Sequence, residues 1–360
     1  MAAAVSVVTL ISNVERFLAE AIESILSQTF KNFEYVIVDF GSTDNSPEIA
    51  WKYAAVDSRI RFHRIAPCSL PQARNAACSI AQGRYIAIMD ADDVSMPDRL
   101  AVQVEFMDKH PEIALLAALA DSVRADGQPF DFQLHQPPSE HDEIREALKD
   151  HCPFCASTAL FRREAFTAVG GYRVALSQSE DLDLWLRITE RFRCAALQHV
   201  VLKYRFHSQQ LSLRKQREQA LCTLAVKASA MLRQGGKYDP MDIVSEITPE
   251  LLAEMGVPLT VQHFAIAEKY QDWIRNICKS GEYELALRVA KTMLQTDLKH
   301  AEPWQVAKLH ETVAGLQWRT GHLVGSVVAI LRAVRTRPVI LARPLKKLWQ
   351  RARRAEVSDK

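Results

Sequence analysis

The chain has 360 residues, Lys+Arg 45 against Asp+Glu 43, 48% hydrophobic and 24% charged, the balance of an ordinary soluble globular protein, which excludes disordered, collagen-like and mucin-like readings. The formal net charge of +2 conceals an asymmetry, because Leu331 to Lys360 holds ten basic residues against two acidic ones, a net +8, and the preceding 330 residues carry −6. An acidic body argues against a nucleic-acid binder, and the basic end points to something anionic, such as a membrane surface.

The first predicted element is a strand at Val5 to Ile11, β-branched and nearly all apolar, as a strand buried on both faces should be. Ser12 stands three residues before Glu15, a capping-box spacing, and Phe17, Leu18, Ala21, Ile22, Ile25 and Leu26 recur on one helical face. A second buried strand, Tyr35 to Phe40, ends in Gly41, and Ser46 with Pro47 starts a second helix where the missing proline N–H costs nothing. A third helix is predicted from near Ser69 to Gly83, followed by a strand from Arg84 to Met89 that runs into Asp90-Ala91-Asp92-Asp93. Ser95 and Pro97 open another helix that ends before Pro111. This alternation with short connections predicts an α/β fold with a parallel sheet covered on both sides and right-handed crossovers.

From Glu112 to about Ser212 the pattern is mixed, with a strand at Ile113 to Ala120, a turn at Asp126-Gly127, helices at Glu140 to Lys149 and Asp181 to Arg191, and a strand-like segment near Ala156 to Phe161. Beyond Leu213 the signals are helical. Gly281 and Gly321 each separate two helices, and Ala286 with Ser326, Ala290 with Ile330 and Met293 with Ala333 match forty residues apart, as in tetratricopeptide repeats; an ordinary helical bundle accounts for the same spacing. The expected division is an α/β domain at 1–212, an all-α domain at 213–337 and a basic amphipathic tail at 338–360. The longest apolar stretches, Ile113 to Ala120 and Leu323 to Leu331, fall short of the ~20 residues needed to span a bilayer. Seven scattered cysteines and a start that runs straight into a strand point to reduced thiols and a cytoplasmic location.

Ligands of open α/β sheets bind at the carboxyl ends of the parallel strands. Those ends are Thr9 to Asn13, Asp39 to Asp44 and Asp90 to Asp93, and none carries GxGxxG or GxxxxGK[ST], which argues against nicotinamide dehydrogenases and P-loop nucleotidases. Asp90, Asp92 and Asp93 repel one another and call for a positive partner. Mg²⁺ or Mn²⁺ held between carboxylates and a substrate phosphate is one solution, and a solvated acidic turn capping the next helix is the other. Cys152 and Cys155 form a single CxxC beside His151, with no second CxxC to complete a zinc site.

The segments VSVVTLISN, SILSQTFKNFEYVIVDFGSTDNS, ARNAACSIAQGRYIAIMDADD, FRREAFTAVGGY, SEDLDLWLRI and YRFHSQQLS, in that order over residues 5 to 212, are similar to the successive motifs of family 2 glycosyltransferases, inverting enzymes with a GT-A fold. The helical remainder lies outside the resemblance. The resemblance implies that Asp39 hydrogen-bonds the nucleobase of a nucleotide-sugar donor, a UDP-sugar being favoured, and that Arg74 lies near the donor nucleotide. It implies that Asp90 and Asp92 are a DxD pair, Asp90 reaching the ribose or sugar and Asp92 holding Mn²⁺ or Mg²⁺ on the diphosphate with Asp93 sharing the task. Asp181 matches the catalytic base and His207 a metal or diphosphate contact, with Arg205 near enough to help; a satisfied structural histidine is the alternative. The implied acceptor is a hydroxyl of a glycan, glycolipid or glycoprotein, as in polysaccharide biosynthesis.

Two departures fall in the nucleotide pocket. Leu10, Ile11, Ser12, Asn13 replaces a ProThrTyrAsn-like stretch, and Asp39 is followed by Phe40 where the family has a second aspartate. Phe40 is expected to replace part of the missing stacking surface, a contact of ~1–3 kcal/mol. The same departures support a rival, a catalytically silent binding or scaffold module whose helical tail recruits partners; retention of Asp39, the aspartate cluster and Asp181 argues against it. A nucleotidyltransferase would need a basic signature near the first strand, which is absent. The tail, with Trp349 among its arginines and lysines, suits the headgroup region of an anionic leaflet on the inner face of a membrane, and a solvated terminus is the alternative.

Overall fold

The computed structural model describes residues 3–130, 134, 136–207, 210, 215–279, 281–296 and 303–337. They fall into two compact units, the described parts of Met1–Gln210 with Ala225–Thr248 and those of Leu211–Leu224 with Pro249–Lys360. The basic tail at 338–360 lies outside the described residues.

In chain order the first unit runs β1 (Val5–Ile11), α1 (Glu15–Leu26), β2 (Phe33–Asp39), α2 (Ser46–Val56), β3 (Ile60–Arg64), α3 (Leu70–Ile80), β4 (Tyr85–Ile88), β5 (Val94–Ser95), α4 (Arg99–Lys109), β6 (Ile113–Arg124), α5 (His141–Asp150), β7 (Leu160–Arg162), α6 (Arg163–Ala168), α7 (Glu180–Thr189) and β8 (Arg193–Phe206), and it takes in the second half of α8 (Gln216–Gln234). The eight strands form one sheet in the order β3-β2-β1-β4-β7-β6-β8-β5. β1 is parallel to β2 and β4, β2 to β3, and β6 to β8, while β7 is antiparallel to both neighbours and β5 antiparallel to β8. The expected parallel sheet is therefore a mostly parallel mixed one.

The apolar runs read from the sequence form its core. Val5, Val7, Ile11, Tyr35, Ile37 and Leu116 of the strands pack with Leu18, Ile22, Leu100 and Met107 of the helices. The parallel register aligns Ile11 with Asp39 and Val8 with Ile88, so the chain leaves β1, β2 and β4 along one edge of the sheet. All three candidate ligand loops start from that edge.

Several local expectations differ from the structure. The Ser12–Glu15 capping box is absent: α1 starts at Glu15 without a side-chain cap, and the Glu15 carboxylate accepts from Asn45 N at 2.9 Å and Nδ2 at 2.8 Å instead. Ser95 belongs to the short strand β5, so the helix expected from Ser95 begins at Arg99. Ala156–Thr158 is a 3₁₀ turn, and the strand-like segment is confined to Leu160–Arg162. At Ser69 a cap does form, the Gln72 side chain accepting from Ser69 N and Oγ at 2.9 Å.

The second unit contains α9 (Pro249–Glu254), α10 (Leu259–Lys279), α11 (Tyr283–Thr296), α12 (Pro303–Arg319) and α13 (Leu323–Thr336). Ala286, Leu287, Ala290, Met293, Leu309, Val313 and Ala329 form its core. Gly281 and Gly321 have φ of 84° and 81°, the left-handed conformation that ends one helix before the next. Ala286 and Ser326 are both buried, but Ala290 is buried where its expected counterpart Ile330 is 48% exposed. Among the described residues no helix is long and apolar enough to cross a membrane.

Candidate active site

The aspartate cluster follows β4 directly. Asp90 N donates to Ser157 Oγ at 3.1 Å, and Asp93 Oδ1 accepts from Arg205 N of β8 at 2.9 Å. The other Asp93 oxygen, Oδ2, is buried and meets no donor at hydrogen-bond distance and angle, although Ser157 stands close enough to lower the carboxyl's proton affinity. Burial, then repulsion from Asp92 and Asp90, pushes the Asp93 carboxyl well above the usual range. Burial also raises Asp90, against the charge of Arg74.

β8 closes this loop from the far side. Arg205 is almost wholly buried and donates Nε to Asp92 O at 2.8 Å, while its Nη2 lies 2.6 Å from Glu20 Oε2. His207 Nε2 lies 2.9 Å from Asp92 Oδ2, and the Phe17 ring stands 4.6 Å from the imidazole and 5.1 Å from the Arg205 guanidinium. Arg205 thus holds the backbone of the loop, and His207 holds one of its carboxylates.

At the end of β2, Asp39 is fully buried, and its Oδ1 accepts from Ser42 N at 2.9 Å. Its Oδ2 lies 2.9 Å from Arg64 Nε, an ion pair whose angle makes no hydrogen bond, so that oxygen keeps its accepting capacity. Phe40 beside it is half-buried. Asn13, at φ 55°, accepts on Oδ1 from Thr43 N at 2.8 Å and Oγ1 at 3.0 Å, tying the ends of β1 and β2 together.

The third contribution comes from α3 and α7. Arg74 of α3 is buried, its Nε donating to Glu180 Oε1 at 3.0 Å and its Nη2 lying 3.5 Å from Asp90 Oδ1. The next residue, Asn75, donates Nδ2 to Tyr172 O at 2.8 Å and accepts from Tyr172 N at 2.9 Å. Gly170 and Gly171 have φ of 80° and 71°, and a Cβ on Gly171 would fall 2.7 Å from Asn75 Oδ1, so this turn requires glycine. Ser179 at φ 58° then sets the first turn of α7, in which Glu180 is buried and Asp181 half-buried. Asp181 is close enough to raise both Asp90 and Glu180 electrostatically. Burial, partly offset by Arg74 and reinforced by Asp181, pushes Glu180 up to about 7.

One region therefore gathers Asp90, Asp92, Asp93, Arg74, Asp181 and His207, while Asp39 and Phe40 stand at the end of β2, on the other side of β1. Trp185 is fully buried against Phe154 and Phe161, a core residue. Cys152 and Cys155 are free, and burial pushes both thiols upward, as expected of inert thiols. Glu180, Tyr172, Ser157 and Arg64 also shape the site, although the sequence alone does not mark them. The Glu180–Arg74 pair spans 106 positions and leaves no local signal.

Among the described residues no three His, Cys, Asp or Glu side chains form a ready metal cage. The donor set nonetheless fits a hard divalent cation completed by substrate phosphate, which needs only one or two protein carboxylates. Asp92 offers an oxygen beside an imidazole nitrogen, and Asp93 keeps a buried oxygen without a hydrogen bond.

Residues 6–170 match the model of glycosyl transferase family 2. EpsE of Bacillus subtilis (strain 168), whose name assigns it provisionally to the glycosyltransferases, is 37% identical over 209 residues, 56% of this chain and 72% of EpsE. The chain belongs to glycosyltransferase family 2. The O-antigen biosynthesis glycosyltransferase WbnJ of Escherichia coli is 30% identical over 210 residues, 57% of this glycosyltransferase and 80% of WbnJ. Among solved structures, TarS of S. aureus has a TM-score of 0.51 at 15% identity, covering 91% of this chain and 54% of TarS. The fold is accordingly GT-A-like, with a helical C-terminal region. The named relatives are glycosyltransferases, which places the chain among enzymes, and none of them favours the silent-scaffold alternative.

Proposed function

We propose that this glycosyltransferase is a metal-dependent inverting enzyme that moves a sugar from a nucleotide-sugar donor, a UDP-sugar being favoured, to a hydroxyl of a glycan, glycolipid or glycoprotein acceptor in polysaccharide assembly. The observation that carries the reading is the meeting of two carboxylate sets from distant elements, the aspartates after β4 and Asp181 on α7, bridged by Arg74 and Glu180. Asp39 with its spare buried acceptor oxygen receives an N–H of the base, and the half-buried Phe40 lies against the ring. Asp90 reaches the ribose or sugar. Asp92, Asp93 and His207 hold Mn²⁺ or Mg²⁺, which when bound neutralises charge growing on the leaving diphosphate as a Lewis acid. Asp181 accepts the proton of the acceptor hydroxyl as its oxygen attacks the anomeric carbon. Attack from the face opposite the leaving group inverts that carbon, the geometry that also governs inverting glycosidases.

The test is release of nucleoside diphosphate from a panel of nucleotide sugars, with acceptor hydroxyls present, in Mn²⁺, Mg²⁺ or EDTA. Turnover with one donor class is expected only with metal. Asp181→Asn should lose ~10²–10⁴-fold in kcat while retaining donor affinity, and Asp92→Asn should lose the response to metal. Full activity of either variant, or equal turnover in EDTA, overturns the reading.

A further inference from the structure

The last described helix, α13, is built the opposite way round from an ordinary amphipathic helix. Its small residues face its neighbour: Ser326, Ala329 and Ala333 are buried, Ser326 Oγ donates to Ala314 O of α12 at 2.8 Å, and a Cβ on Gly325 would fall 2.6 Å from Gln317 Nε2. Its large apolar residues face solvent. Leu323, Val324, Val327, Val328, Ile330 and Leu331 are all exposed, Val324 at 81% and Leu331 at 63%. At ~100° per residue these six fall on one side of the helix, opposite the buried small residues. The stripe is about 13 Å long, and α13 carries no acidic residue.

Charge decides what such a stripe meets. Arg332 and Arg335 stand in the last turns of α13, Arg337 follows, and residues 338–360 add seven basic residues against two acidic ones. A second copy of the chain would set like charges against each other. An anionic lipid surface complements them, takes up large apolar side chains between its headgroups, and gains affinity with each Lys or Arg nearby.

We propose that the exposed apolar side of α13 is a docking surface for an anionic lipid leaflet. The chain lies on the membrane through this stripe, with the arginines of α13 and the basic residues beyond it at headgroup level. The surface belongs to the helical unit and does not depend on the glycosyl-transfer chemistry proposed above.

The experiment uses the full chain and vesicles of phosphatidylcholine with or without phosphatidylglycerol, read by co-sedimentation. Wild type should pellet with the anionic vesicles and stay in solution with the neutral ones. Val324→Asp combined with Val327→Asp, both at exposed positions, should weaken binding about tenfold or more without lowering the melting temperature. Arg332→Glu with Arg335→Glu should weaken it through charge and leave a smaller salt response. Equal binding by the Val324/Val327 variant overturns the proposal, since the tail alone then suffices, and so does a wild type that ignores anionic vesicles. A concentration-dependent dimer in light scattering, dissolved by that variant while vesicles go unbound, overturns it in favour of a second copy.

Discussion

At the scale of single residues, Glu180 and Asp181 are neighbours with different environments. Asp181 is half-buried beside the aspartate cluster, whereas Glu180 is shut away against Arg74, and burial lifts its carboxyl to about 7. A folded-state value above the ordinary 4.5 means that the native chain binds this proton more tightly than the unfolded chain. The stability so gained is fully present below about 4.5 and is lost as pH rises toward about 7. Ionisation then gives Arg74 a full charge partner and strengthens the bridge from α7 to Asp90. We expect kcat to rise through pH 7 in the wild type, and this step to vanish in Glu180→Gln, which cannot ionise, while that variant still melts cooperatively. A pH–rate profile that keeps its inflection near 7 in Glu180→Gln would show that another group sets it.

At the scale of elements, the tight places are the junctions between strands. Gly83, between α3 and β4, has no room for a side chain: a Cβ would fall 2.5 Å from Ser6 N and 2.7 Å from Val5 C, both backbone atoms of β1. Its N–H donates to Ser6 Oγ at 2.8 Å, and that hydroxyl donates to the buried Glu34 at 2.5 Å. Gly83→Ala must therefore move backbone, and we expect it to cost ~1–3 kcal/mol. Gly315, exposed in the middle of α12 with nothing within 4 Å of a new Cβ, is the contrast. Gly315→Ala should add ~0.5–1 kcal/mol, because alanine loses less freedom on entering a helix. Urea unfolding of both variants checks the opposite signs. Legibility in the sequence followed the same division. β1, β2 and β4 are apolar runs buried on both faces, and their ends expose Asp39 and the aspartate cluster to any reader. β3, with His63 and two arginines in five residues, and β8, a long mixed strand whose pairing with β6 slips register three times, have no clean period and went unread. The partners of the site residues were invisible for another reason: Arg74 with Glu180 and Arg205 with Asp92 are meetings of distant segments that only the sheet order creates.

At the scale of the whole molecule, each unit carries its own apolar core, one centred on the sheet and one on Ala286, Ala290, Leu309 and Val313 of the helices. The proposed donor and metal residues all belong to the first unit. A ligand that binds only the folded form stabilises what it binds by RT ln(1 + [L]/Kd), ~2.7 kcal/mol at a hundredfold excess over Kd. Nucleoside diphosphate with Mn²⁺ should therefore raise one thermal transition by several degrees and leave a second in place. The second is assigned by variants that touch one core only: Leu309→Ala, at a fully buried position of α12, should lower it by the ~2–5 kcal/mol of a buried leucine truncation and leave the ligand-responsive one unmoved. Calorimetry of the full chain with and without ligand reads both. A single transition that moves as a whole with either perturbation would mean that the two cores unfold as one, and the charge asymmetry between acidic body and basic end would then act on one cooperative body.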